Sequence, residues 1–475
     1  MATIKLDGFK LLALAALATR IYALSATKGF LHPDNLYQIV EPAHIRVFGY
    51  GIVPWEFVYG IRSWLQPLLV SMVFKLGMAF GITGIEQLIF LSRCLMILAS
   101  LALLYVVYET GLTLYNRTVG LYSLFFAVFS GMLWLWSADV NAHIPSTLYT
   151  TAALLLFYGG WREGSGRHYF ISGLALGVAF MFRFDSLLFI IPLSLFTVWS
   201  RRFVKTGYFA SGLILALLLQ GVLDYLTWGS FMHSPLAFID HNLLQNKSSI
   251  FGRAPMFFYL LVLCIHMPCL FLLTYAVEKR DETGFLLLNA AAFFIAYSLV
   301  AHKEMRFMMP VLPLFFVLAG RGLERAVEMY GRAILYGMAA LTVALSLVLL
   351  AGFQWQAQYG FSEGIRYVGR QPDATGVAYT RSWFHNGVYT SLHKPIPAVG
   401  IGVKALSPRL ENVTCGRPDP ELIEFQCSPL KDIIAEPRIN YVVTEDGNVG
   451  LTLTSNGFSK VMEFDGTTVY RRIGR

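Results

Sequence analysis

Charge is scarce in this chain. Only 14% of its 475 residues are Asp, Glu, Lys or Arg, 56% are hydrophobic, and mean hydropathy is +0.57. A soluble globular protein carries about 25% charged residues, so a soluble fold is excluded. Cysteine is scarce too. There are five, none in a CxxC pair or at a Cys/His ligand spacing, which argues against a structural zinc site. Cys94, Cys264 and Cys269 fall in apolar segments. No Walker-type glycine loop is present, which disfavours ATP-driven work. No DxD pair offers a nucleotide-sugar metal site; Asp281-Glu282 comes nearest. There is no internal repeat and no low-complexity segment, and the missing repeat argues against a transporter. Nothing calls for a cofactor. A divalent metal is left open, with His32, His44 and His302 each better read as a lone hydrogen-bonding group.

What the chain has instead is a series of apolar segments: 9–26, 88–109, 119–136, 147–160, 168–182, 186–200, 208–226, 255–277, 284–300, 307–320 and 333–352. Many have the length of about 17–25 residues that crosses a hydrocarbon core. The first reads as a retained helix, because Ser25-Ala26-Thr27 is a poor signal-peptide cleavage site. The stretch 66–82, broken by Lys75, Gly77 and Gly81, reads as a juxtamembrane element.

Loop charges set the orientation. The net charge is +8, and Lys and Arg recur in short connections such as 161–168, 201–205 and 278–282. Placing those in the cytoplasm satisfies the positive-inside rule and gives about eleven spans. Every unusual polar cluster then meets the opposite face: loop 27–87, Asp139/Asn141/His143, Arg183/Asp185, Asp224–Trp228, His241-Asn242 and His302–Arg306. Any one alone reads as a snorkelling anchor. Six on one face read as a site.

After residue 353 the polarity becomes ordinary. Strand-like alternation at 439–444 and 460–465, with turn signals at Asp446-Gly447 and Asp465-Gly466, predicts a small α/β domain outside the membrane. The expected organisation is a transmembrane domain 1–353, including the first loop 27–87, and an extracytoplasmic domain 354–475. Cys415 and Cys427 lie close in sequence there, where an oxidising compartment permits a disulfide.

The first loop, His32-Pro-Asp-Asn-Leu-Tyr-Gln38 to Glu41 and on to Trp55-Glu56, holds the densest chemistry. Asp34 is a candidate general base for a substrate hydroxyl, or the cap of the helix that follows. Glu41 and Glu56 are alternative carboxylates; Glu41, seven residues on, would share a helix face with Asp34. Trp55 and Trp64 suit the interfacial aromatic belt. His302, Lys303, Glu304 and Arg306, joined by Arg183, suit a phosphate whose lipid tail lies in the bilayer.

These residues resemble motifs of glycosyltransferase family 22, which includes mannosyltransferases of GPI and lipid-linked-oligosaccharide assembly. His32-Pro-Asp34 with Gln38 and Glu41 is similar to its HPDE-x-x-Q-x-x-E signature. Gly51–Glu56 with Ile61-Arg62-Ser63 resembles its second motif. Asp224–Gly229 resembles a third. His302-Lys-Glu-Met-Arg-Phe307 with Pro310 and Pro313 resembles its HKE-x-RF signature. The resemblance implies a GT-C fold, all-α and polytopic, and an inverting transfer of a hexose, most of all mannose. It implies Asp34 as base. Its implied partners are a polyprenyl-phosphate sugar donor, a glycolipid or lipid-linked glycan acceptor and membrane lipids, with no nucleic acid. His32, Gln38, Glu41, Glu56, Arg62, Asp139, Arg183, His302, Lys303, Glu304 and Arg306 become candidate substrate-binding residues.

The departures are Asn35 where the family has Glu, Asp139–His143 in place of N-x-x-E-T, and Arg183-Phe-Asp185 in place of R-P-T. The alternatives are a GT-C transferase for another lipid-phosphate sugar and, from a different class, a lipid-linked-sugar flippase. The expected location is a bacterial or archaeal cytoplasmic membrane with the site outside, with the ER membrane and a luminal site as the alternative.

Overall fold

A computed structural model describes residues 7–201, 203–276, 281–353, 358–380, 387–401 and 427–474. Cys415 lies outside the described residues, and with it the question of a Cys415–Cys427 disulfide. The chain forms two compact units. The first comprises Met1–Ser25, Ser63–Leu65 and Arg93–Phe353; the second comprises Ala26–Arg62, Gln66–Ser92 and Gln354–Arg475. Most of the first loop packs with the tail instead of with the helices that flank it.

In the first unit each of the eleven apolar segments folds as a helix or a helix pair. Among the described residues, six helices are long and apolar enough to cross a membrane, or eight if each of two bent pairs is one span. By that measure the expected eleven narrows. Three segments fall short on physical grounds. His143–Glu163 carries Thr147, Thr150 and Thr151, Gly166–Phe182 has 17 residues, and Ile190–Ser200 has 11 after a 3₁₀ turn. At about 1.5 Å per residue, the last two are short for a full crossing.

Small residues let helices meet backbone to backbone, as expected within lipid. Gly166–Phe182 and Phe203–Trp228 approach so closely that a Cβ on Gly173 would lie 1.9 Å from the Phe209 carbonyl oxygen. Arg117–Val128 and Gly131–Ser137 bend by 61° at their junction. The bend frees carbonyls that need donors. Fully buried Arg20 donates to the Val128 carbonyl at 2.9 Å, and Ser346 Oγ donates to that of Phe129.

In the second unit the tail forms a six-stranded sheet: β1 (Val377–Tyr379), β2 (Ala398–Ile401), β3 (Cys427–Ser428), β4 (Tyr441–Thr444), β5 (Phe458–Phe464) and β6 (Thr467–Arg472). The order is β3-β2-β1-β4-β6-β5. The first four are parallel, and β6 and β5 add antiparallel at one edge. All four residues of β4 are buried, as a strand covered on both faces requires. Helix Tyr359–Arg370 covers the sheet with Phe361, Ile365 and Val368, spaced at helical period. Asp465-Gly466 is the β5–β6 hairpin turn, both residues left-handed. Asp446 instead caps helix Gly447–Ser455, accepting from the Asn448 N–H at 2.8 Å.

The first-loop part of this unit is helical. Pro33–Asn35, a π-turn at Leu36–Val40 and Glu41–Phe48 follow in succession. Leu65–Ala79, in the stretch expected to be juxtamembrane, is a helix of 15 residues.

Candidate active site

In the second unit, His32 is the helix N-cap. Its Nδ1 accepts from the Asp34 N–H at 3.2 Å and lies 3.6 Å from Asp34 Oδ1. His32 therefore holds the cap position considered for Asp34, and Pro33 occupies the first helical turn, where its missing N–H costs nothing. Asp34 keeps 28% of its side chain exposed. It sits among the first-turn N–H groups, which favour a carboxylate. Asn35, where the family has Glu, is buried. An acid there would have to be desolvated.

Glu41 does not share a face with Asp34. The π-turn between them shifts the helical phase, a feature common near functional sites. Glu41 is fully buried. Its Oε1 accepts from the Ile52 N–H at 3.2 Å, and its Oε2 accepts from the Thr390 N–H at 2.8 Å and the Thr390 hydroxyl at 2.5 Å. Burial raises its pKa to about 7 against the pull of those hydrogen bonds. Gly51 makes the approach possible: a Cβ there would lie 2.5 Å from Ile45 Cγ1 and 2.9 Å from Glu41 Oε1. Glu41 is thus enclosed by protein donors.

Glu56 is likewise engaged. Arg62 donates to its Oε1 at 2.6 Å and Gln38 at 3.1 Å. Gln38, Glu56 and Arg62 form one buried-edge network beside the Asp34 helix. Tyr37 is buried there, its phenol held well above its ordinary pKa by desolvation and then by the Asp34 charge. Behind it, His44 Nε2 meets His393 Nδ1 at 3.1 Å. Burial, with His393 beside it, pushes His44 down to about 3.

In the first unit, Arg183 anchors a second cluster. It forms a forked pair with Asp185, at 2.7 Å from Nη2 and 3.2 Å from Nε, and meets His143 Nε2 at 3.1 Å. Tyr297 donates to Asp185 as well. The Arg183 guanidinium lies 5.4 Å from the centre of the Phe307 ring, and Arg306 lies 5.7 Å from it. Arg306 also lies 5.6 Å from the Trp136 ring. The structure thus brings Arg183 and the His302–Arg306 motif together around Phe307. Glu304 accepts from Arg306 at 2.6 Å and is 3.0 Å from His302 Nε2. Lys303 differs: its ammonium donates to the carbonyls of Ala254 and Val300. Among the described residues it has no carboxylate partner, so its positive charge stays uncompensated.

Asp139 is fully buried, 3.5 Å from Arg93. Its neighbour Asn141 caps helix His143–Glu163, accepting from two N–H groups at 3.0 Å. Asp224 is buried too, accepting from Ser234 and Gln220. Arg93, Tyr297 and Thr390 were not singled out from sequence. A lone arginine inside the apolar run 88–109 is the signal that marks Arg93. Thr390 carries no such signal. Among the described residues no three His, Cys, Asp or Glu side chains group as metal ligands.

Residues 11–392 match the profile of the Alg9-like mannosyltransferase family. The chain belongs to this family. Its similarity to GPI mannosyltransferase 3 of Yarrowia lipolytica is 23% identity, over 82% of this chain and 77% of that protein. For GPI alpha-1,2-mannosyltransferase 3 of Homo sapiens it is 26%, over 66% of this chain and 57% of that one. For GPI mannosyltransferase 3 of Candida albicans it is 27%, over 62% and 60%. The chain thus spans under two thirds of the human and Candida relatives. Among solved structures, ArnT from Cupriavidus metallidurans bound to undecaprenyl phosphate superposes with TM-score 0.70 at 13% identity over 97% of each chain. Archaeal oligosaccharyltransferase AglB from Archaeoglobus fulgidus gives TM-score 0.56 at 13% identity, covering 92% of this chain and 69% of that one. The fold is therefore GT-C, a multi-pass membrane fold, and this Alg9-like chain is a mannosyltransferase-type enzyme. The family assignment retires the flippase alternative.

Proposed function

We propose that this chain moves mannose from a polyprenyl-phosphate donor to a hydroxyl of a lipid-linked glycan or glycolipid, at the extracytoplasmic or luminal face. One observation carries the reading: Asp34 stands partly exposed at a helix start, held by His32, in the family's first motif. In the proposed step Asp34 takes the acceptor hydroxyl proton as that oxygen bonds to the anomeric carbon. The bond from that carbon to the phosphate oxygen breaks on the opposite side, inverting the centre. Its electron pair leaves on the lipid phosphate.

A departing phosphate needs positive charge placed in advance. Within the first unit, Lys303 is the candidate for holding the lipid phosphate, because Arg183 and Arg306 already face carboxylates. The donor class is supported by ArnT, a protein of the same fold solved with undecaprenyl phosphate. The relatives named GPI alpha-1,2-mannosyltransferase 3 support mannose and a glycolipid acceptor. The test is transfer by purified protein from a panel of polyprenyl-phosphate hexoses. Transfer from the mannose donor is expected. Activity with GDP-mannose alone, without lipid, would defeat the donor assignment, and transfer of another hexose only would defeat mannose.

A further inference from the structure

The second unit contains a cavity of about 600 Å³ that no step above uses. It opens where the first-loop segment Tyr50–Ile52 meets the N-terminal ends of β2 and β4 and the helix Leu430–Ala435. Its volume falls in the range of roughly 300–1,000 Å³ typical of small-ligand sites. Tyr50 and Tyr389 supply rings, 5.9 Å apart and edge to face, and Ile433 and Ile439 supply apolar wall. The Tyr389 hydroxyl is taken, donating to the Ile396 carbonyl at 2.9 Å. The Tyr50 hydroxyl and the Asp432 carboxylate have no hydrogen-bond partner among the described residues.

The charge balance narrows the ligand. Arg438 pairs with Glu436 at 2.9 Å, and the Arg472 guanidinium donates to the carbonyls of Ile433, Glu436 and Ile439 in the wall, so the carboxylates of Glu436 and Asp432 are matched by two guanidiniums. That balance favours a neutral ligand over an ionic one. An ionised Asp only accepts hydrogen bonds, so it calls for a ligand with hydroxyl donors. Tyrosine rings offer apolar faces beside a polar tip, which suit C–H surfaces between such hydroxyls. We propose that this cavity is a subsite for a neutral saccharide, the part of the acceptor glycan away from the reacting hydroxyl. The assignment rests on the transferase reading above. The wall segment also bears on the catalytic helix, since the Ile52 N–H is bonded to Glu41, seven residues after Asp34.

The experiment titrates a soluble mannobiose into the purified full chain in detergent, followed by ligand-observed NMR. Saturable binding is expected in the natural chain and in Asp34→Asn. Tyr50→Ala and Asp432→Asn should each weaken it about tenfold or more, as loss of a hydrogen bond to a charged group implies. Asp432 is exposed, so Asp432→Asn should keep its melting temperature and stay interpretable if Tyr50→Ala misfolds. No saturable binding, or unchanged affinity in Asp432→Asn, overturns the subsite. Transfer from a lipid donor together with a flat titration sinks only the subsite. Absence of lipid-donor transfer sinks the transferase reading, and the titration still decides whether the cavity holds sugar.

Discussion

Glu41 and Thr390 lie 349 positions apart and meet through two hydrogen bonds, at 2.8 Å from the Thr390 N–H and 2.5 Å from its hydroxyl. This pair fastens helix Glu41–Phe48 to the short tail helix Val388–Leu392. Thr390→Val removes the hydroxyl and leaves a buried carboxylate short of one donor. The expected loss is about 1–3 kcal/mol, read as a lowered melting temperature. The same stability as the natural chain would remove the pair's structural role.

The stability of the second unit depends on pH through two buried groups. The folded-state pKa of Glu41 is raised to about 7 from 4.5. Its contribution is full below 4.5 and is lost as pH rises through 7, because the folded state prefers the protonated form. His44 is lowered to about 3 from 6.5. Its contribution is full above 6.5 and is lost as pH falls through 3. Glu41→Gln should therefore flatten the stability decline between pH 4.5 and 7, and His44→Gln the decline on the acid side. Melting curves across pH check both; unchanged profiles in both variants would contradict the burial of these groups.

Arg93 and Asp139 form a buried pair within the transmembrane unit. Arg93→Met takes the Arg93 cation away from the buried Asp139 carboxylate, at an expected cost of about 3–5 kcal/mol. The double variant with Asp139→Leu should recover most of it. A single variant as stable as the natural chain would show that the pair carries no such strain.

Lys303 tests the phosphate role. Lys303→Gln keeps donors for the Ala254 and Val300 carbonyls but removes the charge. The donor KM should rise about tenfold, the order of one charge-assisted contact, with little change in the acceptor KM. Equal donor KM values would move the role to another cation.

Much of this was legible in the sequence. All eleven apolar segments are helical, because long charge-free runs leave the backbone no other way to satisfy itself in lipid. The motif residues His32, Asp34, Gln38 and Glu56 fall in the second unit. The Asp34–Glu41 phase was not legible: nothing in Leu36–Val40 announces a π-turn, so a seven-residue spacing read as a shared face. The Glu41–Thr390 contact was hidden for another reason, since pairing across 349 residues depends on tertiary placement. The bend at 129–130 was equally silent. The donors that reach its carbonyls, Arg20 and Ser346, are remote in sequence.

The most direct test of the account is the rate of mannose transfer from a polyprenyl-phosphate donor by Asp34→Asn. Asparagine is nearly isosteric and cannot take the acceptor proton. Loss of a general base typically costs about 10²–10⁴ in rate. The account predicts a fall of that size in kcat with melting temperature unchanged. Transfer at the natural rate by Asp34→Asn would contradict it.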